Sequence, residues 1–221
     1  MGLLDERTTT ILTEEETTMF VSDNGNSGSF EQPPIGTHLA RCIRLIDIGT
    51  HKNEYQGQVN FKRQIIVGWE LPNELMASGD YAGKPFTCSK FYTASLNEKS
   101  ALRADLKNWR TRDFTDEELR KFDMRAILGK VCMVSLTHTD KGKAKVTGVM
   151  AAPRGMDAPA QVNETLYFSL EPELFDRAVF DSLSDGYKRM IEVSPEYKQL
   201  TMPKPAQVAE EPAVFDDDIP F

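Results

Sequence analysis

Cations and aromatic rings are interleaved in three stretches of the chain: Phe61-Lys62-Arg63 with Trp69 further on, Lys90-Phe91-Tyr92, and His51-Lys52 with Tyr55. Lysine and arginine neutralise phosphates, and an aromatic face stacks a base at about 1–3 kcal/mol, so the mixture suits single-stranded nucleic acid. A second basic group, Lys141, Lys143 and Lys145, surrounds a turn. The candidate binding residues are therefore Lys52, Tyr55, Lys62, Arg63, Trp69, Lys90, Tyr92, Lys141, Lys143 and Lys145. Side-chain alternation along a strand limits the aromatics. It puts Phe61, Ile65, Val67 and Trp69 on one face, so Phe61 reads as core and Trp69 fits core and stacking equally. Lys90 and Tyr92 share the face opposite Phe91, which selects Tyr92 for the ligand and sends Phe91 inward.

Charge follows the same division. The net charge of −8 separates into −6 over residues 1–35, +7 over 36–156 and −9 over 157–221. A basic middle between acidic ends points to an anionic partner for the middle and another task for the ends. Other chemistries lack their residues. Phosphate-loop, H-E-x-x-H and G-x-S-x-G patterns do not occur, His38, His51 and His138 are isolated, and Cys42, Cys88 and Cys132 form no C-x-x-C pair. The expectation is no enzyme, no metal and no cofactor, with the cysteines as small buried residues. The longest apolar run, Ile65 to Trp69, is far below the ~18 residues of a membrane span. With no secretory signal at Met1 to Glu6, the expected address is the cytoplasm.

The elements that must position these groups start at Thr37. His38 to Ile48, Phe61 to Leu71 and Phe86 to Thr93 read as strands, with Gly49 to Gly57 as a turn-bearing loop. Ser95-Leu96-Asn97-Glu98 has capping-box form. Leu102, Leu106 and Trp109 then make one apolar helical stripe, and Lys99, Arg103, Lys107 and Arg110 a solvated basic face. Thr115 to Glu118 opens a shorter helix with Leu119 and Phe122. Lys130 to Thr139 and Lys143 to Ala151 form a hairpin about Asp140-Lys141-Gly142. Three strands, a helix and two strands is the element order of an OB-fold, a mainly β (α+β) five-stranded barrel with its helix between strands 3 and 4. The expected divisions are a flexible acidic arm over 1–34, the OB domain over 35–155, a partly helical C-terminal extension over 156–200, and a disordered linker and acidic tail over 201–221. In the extension, Leu166 to Leu170 reads as a short strand, and Leu174, Phe175, Ala178, Val179 and Leu183 as an apolar face docked on the barrel.

The last six residues are Asp216-Asp217-Asp218-Ile219-Pro220-Phe221. Ile219 and Phe221 suit an apolar pocket, the carboxylates suit cations on its rim, and Pro220 limits the freedom lost on binding. This ending is very similar to that of bacterial single-stranded DNA-binding proteins. Phe30 to Pro34 before Gly36, Leu96 to Ser100 before Leu102, Trp109-Arg110, and Ser194-Pro195-Glu196-Tyr197 resemble phage-encoded members of OB type. The resemblance implies an OB barrel, sequence-tolerant ssDNA binding in a bacterial host, and recruitment of replication, recombination and repair enzymes through Asp216, Asp217, Asp218, Ile219, Pro220 and Phe221. Two rivals stand beside it: an acidic DNA mimic that inhibits DNA-binding enzymes, against which the +7 middle argues, and an OB-containing recombination nuclease, which needs a rigid carboxylate cluster. Oligomeric state is left open.

Overall fold

The computed structural model describes residues 31–202 except Gln56; the side chain of Tyr55 also lies outside the description. The expected arm to Phe30 and the tail from Pro203 fall outside the described residues. Residues 31–34, assigned by composition to the arm, are bonded into the body. Glu31 accepts from the Ala77 and Ser78 amides, and His138 and His38 bond the Pro33 and Pro34 carbonyls.

Five strands form a mainly β, mostly antiparallel sheet: β1 (Gly36–Tyr55), β2 (Gln58–Leu75), β3 (Pro85–Thr93), β4 (Val131–His138) and β5 (Ala144–Met150), ordered β3-β2-β1-β4-β5. A sixth strand, β6 (Leu166–Phe168), runs parallel to β1 and takes the edge of β1 beyond the point where β4 leaves it. No ladder joins β3 to β5 among the described residues, so the sheet is open there. Helix α1 (Ala101–Arg110) touches both of these strands. Leu102 and Leu106 enter the core, and the Trp109 indole N–H donates to the Val131 carbonyl at 2.8 Å.

Alternation on β2 explains the main core. Ile65, Val67, Trp69 and Leu71 face inward with Leu45 and Cys42 of β1, Phe86 and Tyr92 of β3, and Val134 and Leu136 of β4. Burying such side chains is worth about 1.5–3 kcal/mol each. The other face of the same strands is also buried. Ile46, Ile48 and Ile66 pack against Phe168, Leu170, Phe180, Leu183 and Ile191, supplied by β6 and by helices α3 (Arg177–Ser182) and α4 (Asp185–Glu192). Burial on both faces is why Ile65-Ile66-Val67 is a continuous apolar run. Of the apolar residues expected to dock, Phe175, Val179 and Leu183 pack into this layer, whereas Leu174 and Ala178 are exposed.

Two local expectations are corrected. The first helix is capped by Ser100, whose hydroxyl accepts from the Arg103 amide. Ser95, one turn earlier, instead accepts from the Asn97 amide in a tight turn. The box at Thr115 forms as expected and opens α2 (Asp116–Arg120). The stretch from Gly49 to Gly57 is not a loop: β1 runs to Tyr55 and β2 starts at Gln58, paired throughout. Its described side chains from Thr50 to Glu54 are polar and half-buried or exposed, so no apolar alternation marks it as strand. Helix α5 (Pro195–Thr201) closes the described chain against β1. Among the described residues no helix is long and apolar enough to cross a membrane.

Candidate nucleic-acid interface

Beyond the bulge at Ile48 the paired ends of β1 and β2 continue as a two-stranded ribbon. Opposite one another stand Thr50 and Arg63, His51 and Lys62, Lys52 and Phe61, and Glu54 and Val59. The root of the ribbon is fixed by α5. The Glu196 carboxylate accepts from the Thr50 amide at 2.9 Å and from its hydroxyl at 2.5 Å. Burial alone would raise the Glu196 carboxyl, but these two bonds outweigh it and hold the group below its ordinary value. Close approach requires Gly49: at φ +79°, a Cβ there would lie 2.5 Å from the Ser194 Cβ.

The ribbon carries the open binding chemistry. Phe61 is 71% exposed, which corrects its reading as core: β2 has left the sheet body at that point, so alternation no longer leads into the interior. Lys52, directly across from it, pairs with Glu54 at 3.6 Å between two exposed side chains, a contact worth little in water. Lys62 makes no ion pair among the described residues. The ribbon therefore places Lys52 and Phe61 as cross-strand neighbours on one face and Lys62 opposite His51 on the other, with the Tyr55 backbone at the tip.

Arg63 and Lys90 are differently placed. Arg63 is forked onto Asp47, with its Nε 3.2 Å from both carboxylate oxygens, and also bonds Glu171 at 2.7 Å. The Asp47 hydrogen bond is the main reason its pKa is raised. Lys90 reaches Asp105 of α1 at 2.6 Å, with its ammonium 5.1 Å from the Tyr92 ring centroid. Tyr92 donates its hydroxyl to the same Asp105 at 2.7 Å. Burial first, and the Asp105 charge second, push that hydroxyl far above its usual range.

Two candidate stacking residues are overturned. Tyr92 is 4% and Trp69 1% exposed, so neither offers a ring to a ligand. Trp69 is filled into the core beside Trp109, centroids 6.5 Å apart. The outward aromatic of β3 is Phe91, 51% exposed, opposite Ile66 in the register. On the same face Gly68 lies between Arg44 and Ser89. Its missing side chain lets Arg44 lie flat, since a Cβ there would be 2.9 Å from the Arg44 Cβ. The Arg44 Nε is buried and has no hydrogen-bond partner. Sequence reasoning missed Phe91 and Arg44. The signal was Gly68 within an otherwise bulky strand, which often marks close approach of another group.

Lys141, Lys143 and Lys145 are exposed on the β4–β5 hairpin, without ion pairs among the described residues. The turn forms as expected, with Gly142 at φ 69°. Gly36 pairs with Leu136 near this turn, whereas Tyr55 pairs with Gln58 at the ribbon tip. The hairpin and ribbon lysines thus stand at opposite ends of β1. The basic face of α1 is mostly neutralised: Arg103 and Lys107 bond Asp113, and Arg110 bonds Glu118. Among the described residues no cluster of three His, Cys, Asp or Glu could hold a metal ion. The Cys42 and Cys88 thiols are pushed up to about 12 by burial, and Cys132 is raised by the same cause. They are packed thiols, far from the thiolate state that reacts. The six recruiting residues Asp216 to Phe221 lie outside the described residues. Compared with known proteins, the chain matches no family model and no curated protein.

Proposed function

We propose that the protein is a sequence-tolerant single-stranded DNA-binding protein of OB type, phage-encoded and acting in the cytoplasm of a bacterial host. The observation that carries this reading is the exposed Phe61 ring directly across from Lys52. A solvent-facing phenylalanine costs solubility and contributes little to the core, while beside the Lys52 cation it suits base stacking. Phe91 is a second platform on β3. The strand order β3-β2-β1-β4-β5, with α1 against both outer strands, is compatible with an OB barrel whose last seam is bridged by a helix. On this reading the tail Asp216 to Phe221 recruits replication, recombination or repair enzymes. A DNA mimic would instead display carboxylates where Lys52, Lys62 and the hairpin lysines stand.

Titration of labelled oligo-dT, duplex DNA and RNA at two salt concentrations tests the reading. Oligo-dT should bind tighter than duplex of equal length, with log affinity falling linearly in log salt by about 0.7 per phosphate neutralised. Equal affinity for duplex, or no salt dependence, would refute it.

A further inference from the structure

The ribbon has two unequal edges. On β1 the Thr50 amide faces outward and is taken by Glu196 of α5, and the residues beyond it include Lys52 and Glu54, both exposed and charged. On β2 the next strand covers the edge only as far as Arg63, whose carbonyl accepts from the Ala94 amide at 2.8 Å. Backbone groups alternate in direction along a strand. Since Arg63 points away from β1 and the register runs unbroken to the tip, Phe61 and Val59 point away from β1 as well. Their outward amides and carbonyls have no backbone partner among the described residues. All side chains from Gln58 to Lys62 are exposed, the apolar Val59 and Phe61 included. An edge with open donors and acceptors and apolar side chains is a template for another strand.

We infer that this edge pairs with the same edge of a second copy of the chain, antiparallel, about a twofold axis at Asn60. The open stretch runs from Gln58 to Lys62, and Asn60 is its midpoint. A twofold axis at Phe61 would need Arg63, which β3 already holds, and one at Val59 would set Phe61 against Gly57. About Asn60, Val59 stands opposite Phe61 of the second copy, and Phe61 opposite its Val59. Each of these pairs exchanges both of its N–H···O=C bonds through the groups that face outward, with Asn60 meeting Asn60 between them. Rows across the joined ribbons then read Lys52, Phe61, Val59, Glu54 from either side. No like charges oppose one another, and the two Phe61 rings lie on a diagonal within aromatic reach. Pairing at an edge leaves both faces open, so the second copy adds its own Phe61 and Lys52 to the same surface. The contact, Gln58 to Lys62 on each side, is far smaller than that of an obligate dimer, which makes the association reversible. The inference does not depend on nucleic-acid binding, and its test contains no DNA.

Cysteines introduced into the full chain read the register under mild oxidation, because the native Cys42, Cys88 and Cys132 are packed thiols. Asn60→Cys should give a covalent dimer, since an antiparallel pair with no bonds between its members holds its Cα atoms about 4.5 Å apart, within disulfide range. Gln58→Cys and Lys62→Cys are equally exposed. Each alone should cross-link at least about tenfold more slowly, because neither meets its own copy across the axis and only random encounter remains. An equimolar mixture of those two should cross-link, since Gln58 stands opposite Lys62. Val59→Pro added to Asn60→Cys removes an outward amide and no bond to β1, a replacement that an edge strand tolerates. It should lower the cross-linking by about tenfold, as the symmetric joint loses a hydrogen bond on each side, while the urea midpoint stays that of Asn60→Cys. An Asn60→Cys protein that stays monomeric overturns the proposal, and so does equal cross-linking at all three positions, which is random collision. A cross-link indifferent to Val59→Pro overturns it too.

Discussion

Replacing Phe61 by alanine separates surface chemistry from folding. The ring is 71% exposed, so truncation forfeits less than a third of the about 1.5–3 kcal/mol that full burial of such a side chain contributes. The expected loss of stability is therefore below about 1 kcal/mol, a shift of a few degrees in Tm for a body of this size. Loss of a stacking face costs about 1–3 kcal/mol of binding, which is roughly 5- to 150-fold in Kd for oligo-dT. Phe91→Ala, at 51% exposure, should behave alike with a somewhat larger stability cost. Tyr92→Ala is the opposite case: it empties a core position and removes the hydroxyl donor to Asp105, at about 3–5 kcal/mol of stability. Fluorescence anisotropy with oligo-dT beside urea unfolding of the three variants reads both axes. If Phe61→Ala and Phe91→Ala both retain wild-type affinity, the interface assigned to the ribbon and β3 is wrong.

Lys62→Ala should reduce the slope of log affinity against log salt by about 0.7, one phosphate contact in single-stranded binding, whereas Arg63→Gln should show mainly as a lower urea midpoint, because Arg63 is engaged with Asp47 and Glu171. Gly49→Ala should destabilise by more than the roughly 1–2 kcal/mol of a left-handed non-glycine residue, since its Cβ would also collide with Ser194; an unchanged urea midpoint would refute the close docking of α5 on β1. Glu118 is held down to about 2, from 4.5, by Arg112, the Thr115 amide and Arg110. A depressed carboxylate contributes stability that is present above its unfolded pKa and lost as pH falls through the folded one, so melting should weaken between about pH 4.5 and 2, and Glu118→Gln should flatten that limb. A Glu118→Gln acid limb as steep as wild type would refute the assignment.

Strand identity was readable in β2 and in the β4–β5 hairpin because their periods and turn residues agree with one another. The order of elements was readable for the same reason, and so was the apolar stripe of α1. What alternation misplaced was which face of β3 turns inward. Phe91 and Tyr92 are equally aromatic and both adjoin Lys90; the decision rests with Asp105, thirteen residues on, which draws the Lys90 ammonium and the Tyr92 hydroxyl inward together. The ribbon was missed because a strand pair exposed on both faces has no hydrophobic period. Lys52, Tyr55 and Lys62 were nevertheless named as candidates, since charge and aromaticity are local properties and need no knowledge of the partner strand. Arg63 and Lys90 were indistinguishable from them until Asp47, Glu171 and Asp105 were in place, for an ion pair between distant segments leaves no mark on local composition.

The C-terminal layer covers most of one face of the sheet. The outward face of β1 and β2 is occupied by Phe168, Leu170, Phe180 and Ile191 over Ile46, Ile48 and Ile66. Nearer the start of β1, the segment from Ala158 to Asn163 is tied down: Arg41 donates to the Ala158 and Pro159 carbonyls, and the fully buried Glu70 accepts from the Val162 and Asn163 amides. A buried carboxylate bonded by several donors is costly to expose, because breaking it leaves an unpaired charge in the interior. This cover is therefore a fixed part of the fold rather than a lid. Once it is in place, Phe91 of β3 remains exposed on this face, whereas Phe61 alternates with Ile65 and Val67 and so belongs to the opposite face of β2. On the proposed reading the two rings are therefore separate platforms on opposite faces rather than neighbours on one. Simultaneous loss of both rings should then cost the sum of the single losses, as independent stacking sites require, and a double variant no weaker than either single variant would refute two separate platforms.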